Sequence, residues 1–307
     1  MAQTEVLTGE SRRPGRREAG AALSLAARLP RLLLESRRVA ASLAHGVHGR
    51  RRSGPGETFW QFRPFVTGEA AGRIDWRRSG RDERLYVRER EWESPHSVWL
   101  WIDRSASMAF ASDLADAPKI ERAFVLGLAL ADTLVETGER VGLLGLRPPS
   151  ASRRIAELLA ETYAADAGGL EDDLPPPAAP GRQDELLLLG DFLAPLSDIE
   201  ARIGALSGRG ARGHLLMVVD PAEETFPFDG QAVLHEPEAG LRLRIGDASV
   251  WGAAYRDRIA AHRDALREMT RRRGWTLTFH HTDRPATEAA LRILTLLAAA
   301  RLGPAGS

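Results

Sequence analysis

The chain has 307 residues, 43% of them apolar and 27% charged, which is enough for a sizeable core and for about two domains. It contains no cysteine, which excludes thiolate zinc sites, cysteine nucleophiles and disulfide frameworks. The net charge is zero, but it is unevenly spread: the first hundred residues hold 19 Arg against 12 acidic residues, and Lys119 is the only lysine.

An Arg bias of this kind, with abundant Ala, fits a GC-rich genome and weakens the Arg count as a sign of nucleic-acid binding. No apolar run reaches the roughly 20 residues that a bilayer span needs. The uncharged run 19–27 is followed by Arg28, Pro30 and Arg31 instead of a cleavage site, so a cytoplasmic chain is expected.

Residues 1–18 read as a disordered basic tail, rich in Arg and Gly. Residues 19–46 predict a helix whose apolar stripe is Leu25, Leu29, Leu32, Leu33, Val39 and Leu43, with a kink or restart at Pro30. The stretch 11–52 holds 11 Arg and two Glu and reads as an arm facing solvent or a partner, polyanion binding being the alternative. His45 and His48 border a Gly-rich basic loop, with no third ligand nearby. Residues 57–95 are aromatic, with turn signals at Gly68, Gly72 and Gly80 and an alternating run Leu85–Arg88; they predict a small β-rich subdomain that completes an N-terminal region over 19–95.

From residue 96 to 303 strands and helices alternate, which predicts an α/β domain with a doubly wound, mostly parallel sheet. Strands are expected at 97–102, 140–146, 185–190, 214–219 and 275–279. Helices are expected at 119–137, 152–164, 253–273 and 286–302, with another ending at Gly208 that starts from a Ser197/Glu200 capping box. Residues 231–246 predict a hairpin. Gly208–Gly213 matches G-x-G-x-x-G, but it follows a helix and precedes a strand, the reverse of a dinucleotide site. His280 and His281 end the last strand and read as packing or surface residues, and Asp220 reads as part of its adjoining loop.

Open α/β sheets bind ligands at the carboxyl ends of their strands. Asp103 follows the first apolar strand, in Asp103-Arg104-Ser105-Ala106-Ser107, and Asp191 follows the strand 185–190. If those strands are neighbours, two carboxylates and two hydroxyls meet at one crevice. That donor set suits a hard divalent cation, Mg²⁺ first and Mn²⁺ or Ca²⁺ as alternatives. With only two carboxylates against it, such a cation stays electrophilic enough to take a carboxylate from a client protein. The competing explanation is turn and cap chemistry by Ser and Asp. An enzyme using Asp103 as a Mg-dependent phosphoryl acceptor is a further alternative, but it lacks an acid at Ser105 and has only Lys119 to hold a phosphate.

The Asp103, Ser105, Ser107 and Asp191 pattern resembles the metal-ion-dependent adhesion site of von Willebrand factor A domains. Upstream, Gly54–Glu57 with Phe59-Trp60, Arg63-Pro64-Phe65, Gly68-Glu69, Arg73–Trp76 and Leu85–Glu89 are similar to the signature of the bacterial family called domain of unknown function 58, as are Asp220–Thr225 and Pro227-Phe228. The resemblance covers about residues 30–300. It implies a von Willebrand factor A-like fold and a non-enzymatic protein-interaction module. It also implies partnership with a MoxR-type AAA+ ATPase in chaperone-like maturation of complexes; many such relatives are membrane-anchored near the N-terminus, whereas the lack of a long apolar run makes a cytoplasmic form the expectation here. The adhesion site ordinarily adds a Thr; the only Thr in 147–184 is Thr162, inside an expected helix, so Ser150 or Ser152 is the candidate substitute.

Overall fold

The computed structural model describes residues 14–48, 59–66, 70, 72, 74–80, 84–90, 96–166, 173–235 and 242–302. Two compact units are present, 46–95 and the remainder.

In the smaller unit β1 (Phe59–Pro64) pairs antiparallel with β2 (Tyr86–Arg90), with a register shift between Phe59 and Gln61. Between them lies a single helical turn, α2 (Trp76–Ser79). Asp75 caps it by accepting from the Arg78 N–H at 2.9 Å, and the buried Ser79 hydroxyl accepts from the Tyr86 N–H at 2.9 Å. Ile74 and Val87 are buried and form a backbone bridge.

The larger unit begins with α1 (Pro14–His48), which continues through Pro30 without a break. Residues 14–18 of the expected disordered tail are instead the first turns of α1, and residues 1–13 lie outside the described residues. A six-stranded sheet follows, built from β3 (Ser97–Ile102), β4 (Arg140–Leu143), β5 (Arg147–Ser150), β6 (Glu185–Gly190), β7 (Arg212–Val219) and β10 (Thr276–His281), in the order β10-β7-β6-β3-β4-β5. All pairings are parallel except β4 with β5. The single strand expected over 140–146 is therefore a tight hairpin, turned at Gly145, where φ is +78°. The helices are α3 (Lys119–Glu136), α4 (Ile155–Ala165), α5 (Leu196–Ser207), α6 (Pro221–Thr225), α7 (Gly252–Arg272) and α8 (Ala286–Leu302). The expected hairpin is present as β8 (Ala232–His235) against β9 (Arg242–Ile245).

Side-chain alternation sorts the strands into two cores. Val98, Leu100, Ile102, Leu187, Leu189, Leu216 and Val218 face one apolar layer, shared with α1, α3, α4 and α8. Trp101, Leu186, Leu188, Leu215, Met217 and Val219 face the other, shared with α5 and α7. Such residues are buried on both sides of the sheet, which explains the unbroken apolar runs in the sequence. Each fully buried Leu contributes roughly 1.5–3 kcal/mol relative to exposure.

α1 packs through Leu32, Ser36, Val39, Ala40 and Leu43, at helical spacing. Part of the basic arm is thereby accounted for: Arg28 and Arg31 pair with Glu121, and Arg37 with Glu157. The start of α5 departs from expectation. Pro195 stands at its N-cap with no side-chain cap bond, and Ser197 turns to Asp198 instead, at 3.0 Å. Gly213 lies on β7 where a Cβ would meet the Trp275 ring at 2.1 Å, so the Gly-rich run has a packing role there.

Candidate functional site

The parallel register decides what meets at the top of the sheet. Ile102 pairs with Leu189, so Asp103 lies level with Gly190, and Asp191 follows directly. The ladder continues one step further, the Asp103 N–H donating to the Leu189 carbonyl at 2.8 Å. A Cβ on Gly190 would stand 2.9 Å from the Asp103 Cβ and 3.0 Å from its Oδ2, so glycine there makes room for the carboxylate.

After Asp103 the chain turns sharply, and the Ser105 N–H donates back to Asp103 Oδ1 at 2.8 Å. The Ser105 and Ser107 hydroxyl oxygens are 3.1 Å apart, and Ser107 Oγ donates to Asp191 Oδ2 at 2.7 Å. Asp103, Ser105, Ser107 and Asp191 are thus brought to one place. Asp103 and Asp191 are both buried, yet Asp103 Oδ2 has no hydrogen-bond partner. Burial and then the charge of Asp191 push the Asp103 carboxyl up to about 8, against an ordinary 3.8.

Ser150 and Ser152 are not brought there. Ser150 pairs with Val141 across the β4–β5 hairpin, level with Val98, near the opposite end of the sheet. Ser152 accepts from the Arg154 N–H at 3.2 Å, in the turn before α4. Thr162 is on α4, donating to the Leu158 carbonyl at 2.7 Å. The missing Thr therefore has no substitute from this part of the chain.

Lys119 comes to the site instead. It is the first residue of α3 and is fully buried. Its ammonium donates to Asp191 Oδ2 at 2.8 Å and to Glu223 Oε1 at 2.6 Å. Burial opposes that charge, but the two carboxylates outweigh it and hold the lysine above its ordinary pKa. Glu223 is raised by burial despite the ammonium beside it. Its Oε2 accepts from the Asp220 N–H at 3.0 Å, while Asp220 Oδ1 accepts from the Ala222 N–H at 2.8 Å, a capping box that starts α6.

Asp220 also takes the Ser112 N–H at 2.7 Å and the Ser112 hydroxyl at 2.6 Å, tying the loop after β3 to the end of β7. The polar groups form a chain over three strand ends, from Ser107 through Asp191, Lys119, Glu223 and Asp220 to Ser112. Two signals in the sequence pointed to these residues: a solitary lysine among 42 basic residues, and the capping pattern Asp220-Pro221-Ala222-Glu223.

Two neighbouring cations are already committed. Arg104 donates to the carbonyls of Tyr163 (3.2 Å) and Asp166 (2.7 Å), and it also pairs with the Asp166 carboxylate. Lys119 and Arg104 are thus both engaged with protein groups. His281 and Arg263 share Glu224, and His280 is buried, with its pKa driven down to about 3 by burial and by the charges of Arg122 and His281.

The sequence matches the family described as protein of unknown function DUF58 over residues 61–268. The chain belongs to this family. It is also 25% identical over 279 residues to uncharacterized proteins of Mycobacterium tuberculosis and Mycobacterium bovis, covering 85% of this chain and 86% of each of those. Among solved structures it is similar to an aerotolerance-related membrane protein from Bacteroides fragilis (15% identity, TM-score 0.40). It is likewise similar to the conserved hypothetical protein BatB from Bacteroides thetaiotaomicron (15% identity, TM-score 0.38). Each of these likenesses covers 66% of this chain and 99% of the other. Among the described residues no helix of this DUF58 protein is long and apolar enough to cross a membrane, and no group of three or more His, Asp or Glu gathers as metal ligands.

Proposed function

We propose that this DUF58 protein is a non-enzymatic protein-interaction module of von Willebrand factor A type, with a divalent cation, Mg²⁺ in the first instance, at its strand-end crevice. The observation that carries this is the state of Asp103: a buried carboxylate whose Oδ2 has no partner, beside two serine hydroxyls and a second carboxylate. A buried, unpartnered carboxylate oxygen costs stability, and a bound cation would relieve it in place of a proton.

The residues fit such an ion, though sparely. Asp103, Ser105, Ser107 and Asp191 would hold it, directly or through water, and water would complete the shell of oxygens that Mg²⁺ prefers. The cation would supply positive charge to a client's carboxylate. The chain's own residues do the rest: Gly190 makes room for Asp103, Asp220 holds the Ser112 loop in place, and Lys119 fixes Asp191. Leu114 and Leu193 stand exposed on the two loops that carry the cluster, giving a docking client apolar contacts near the ion.

The partner proposed from the family resemblance is a MoxR-type AAA+ ATPase, in a cytoplasmic setting. Size-exclusion chromatography of the full chain mixed with that ATPase tests the reading. Co-elution in Mg²⁺ that is lost in EDTA and in Asp103→Ala supports it. Co-elution unaffected by either rules out a cation at the interface.

A further inference from the structure

We infer that the Lys119 ammonium is an internal competitor for the cation at Asp191, and that it gives the strand-end site a weak and reversible affinity. The inference rests on the cation reading proposed above.

The two carboxylates of the crevice are not equivalent. Asp103 Oδ2 is buried and without a partner, whereas Asp191 Oδ2 already accepts from Lys119 Nζ at 2.8 Å and from Ser107 Oγ at 2.7 Å. An arriving cation finds one oxygen ready and must share or take the other from a resident positive charge. Lys119 is fully buried, so water does not screen its repulsion of a second cation as it would at the surface.

Glu223 gives the displaced ammonium a place to stay. Its Oε1 lies 2.6 Å from Lys119 Nζ, and its other oxygen is fixed by the Asp220 N–H. Lys119 can therefore release Asp191 without becoming an unpaired buried charge. The charge count agrees once the cation displaces the proton of Asp103: the three carboxylates Asp103, Asp191 and Glu223 then oppose one ammonium, which leaves the equivalent of one divalent cation to be neutralised.

This arrangement predicts effects of opposite sign from two residues that do not ligate the ion. Removing the ammonium frees Asp191 and tightens binding. Removing the Glu223 charge takes away the retreat, locks Lys119 onto Asp191 and weakens binding. A lysine that only held the fold together would change the melting temperature without producing that pair of signs.

The experiment is calorimetric titration of Mg²⁺, and separately of Mn²⁺, into the full chain at fixed pH and ionic strength, with folding verified by circular dichroism. Lys119→Met/Glu223→Gln removes the ion pair as a unit, so no buried charge is left alone. It is expected to bind Mg²⁺ at least about threefold more tightly than the unaltered chain, the roughly tenfold gain from losing one nearby like charge being partly offset by the loss of the Glu223 charge. Glu223→Gln alone is expected to bind at least about threefold more weakly, by the same electrostatics.

If the unaltered chain binds Mg²⁺ and the double variant binds it equally or less well, the competitor role is overturned while the cation reading stands. Should the double variant not fold, an affinity of Glu223→Gln equal to or tighter than that of the unaltered chain overturns it as well. If neither the unaltered chain nor any variant binds Mg²⁺ or Mn²⁺ at about 10 mM, the cation reading itself fails and takes this inference with it.

Discussion

Two layers of the molecule are equally buried and opposite in chemistry. In the sheet interior Leu188 and Leu189 are fully covered and packed against the two helical layers. Two residues further on, Asp191 is 2% exposed and lies among serines, a lysine and a glutamate. The interior layer stabilises the fold by excluding water. The upper layer costs stability unless every charge is answered, and Asp103 Oδ2 is not answered. Burial alone therefore does not mark a core; the same degree of burial holds the sheet together in one layer and stores an unmet polar demand in the next.

Three variants separate the layers. The largest effect on stability is expected in the interior. Leu188→Ala leaves a cavity beside α5 and α7 and should cost about 2–5 kcal/mol in urea unfolding. It should leave the Mg²⁺-induced rise in melting temperature in place, and loss of that rise in a folded variant would mean the layers are not separable. Gly190→Ala acts at the boundary. Its new Cβ meets Asp103, so stability should fall by about 1–3 kcal/mol, the usual scale for overpacking, and the Mg²⁺ response should vanish with it.

The third test is a pH dependence, measured without divalent cations. The folded chain holds the Asp103 proton up to about 8, while the unfolded chain releases it near 3.8. The proton therefore favours the folded state, fully below 3.8 and less and less as pH rises through about 8. The melting temperature of the unaltered chain should fall relative to Asp103→Asn across that window and run parallel to it above. A constant difference from pH 4 to pH 8 would mean that Asp103 is ionised throughout.

Much of this was legible in the sequence. Six consecutive buried residues in β6 and the apolar run of β3 marked central strands, and their parallel pairing brought Asp103 and Asp191 together as expected. The hairpin at Gly145 was not legible, because Arg140–Leu146 reads as one strand until a turn with positive φ reverses it. Ser150 was a reasonable donor by sequence distance, but that reversal carries it back along β4, away from the strand ends.

Lys119 was visible as the only lysine, but its role was not. A helix-starting lysine is ordinarily solvated, and only the convergence of β6 and α6 provides the carboxylates that make its burial tolerable. The Arg-rich arm was legible as a solvent-facing surface, but not the ion pairs that three of its arginines make with the helices beneath α1.

The central claim is that Asp103 waits for a cation. Thermal unfolding of the full chain in millimolar Mg²⁺ and in EDTA, beside Asp103→Asn, tests it most directly. The account predicts a higher melting temperature in Mg²⁺ for the unaltered chain and coincident curves for Asp103→Asn. Coincident curves for both proteins, each fully folded, would contradict it.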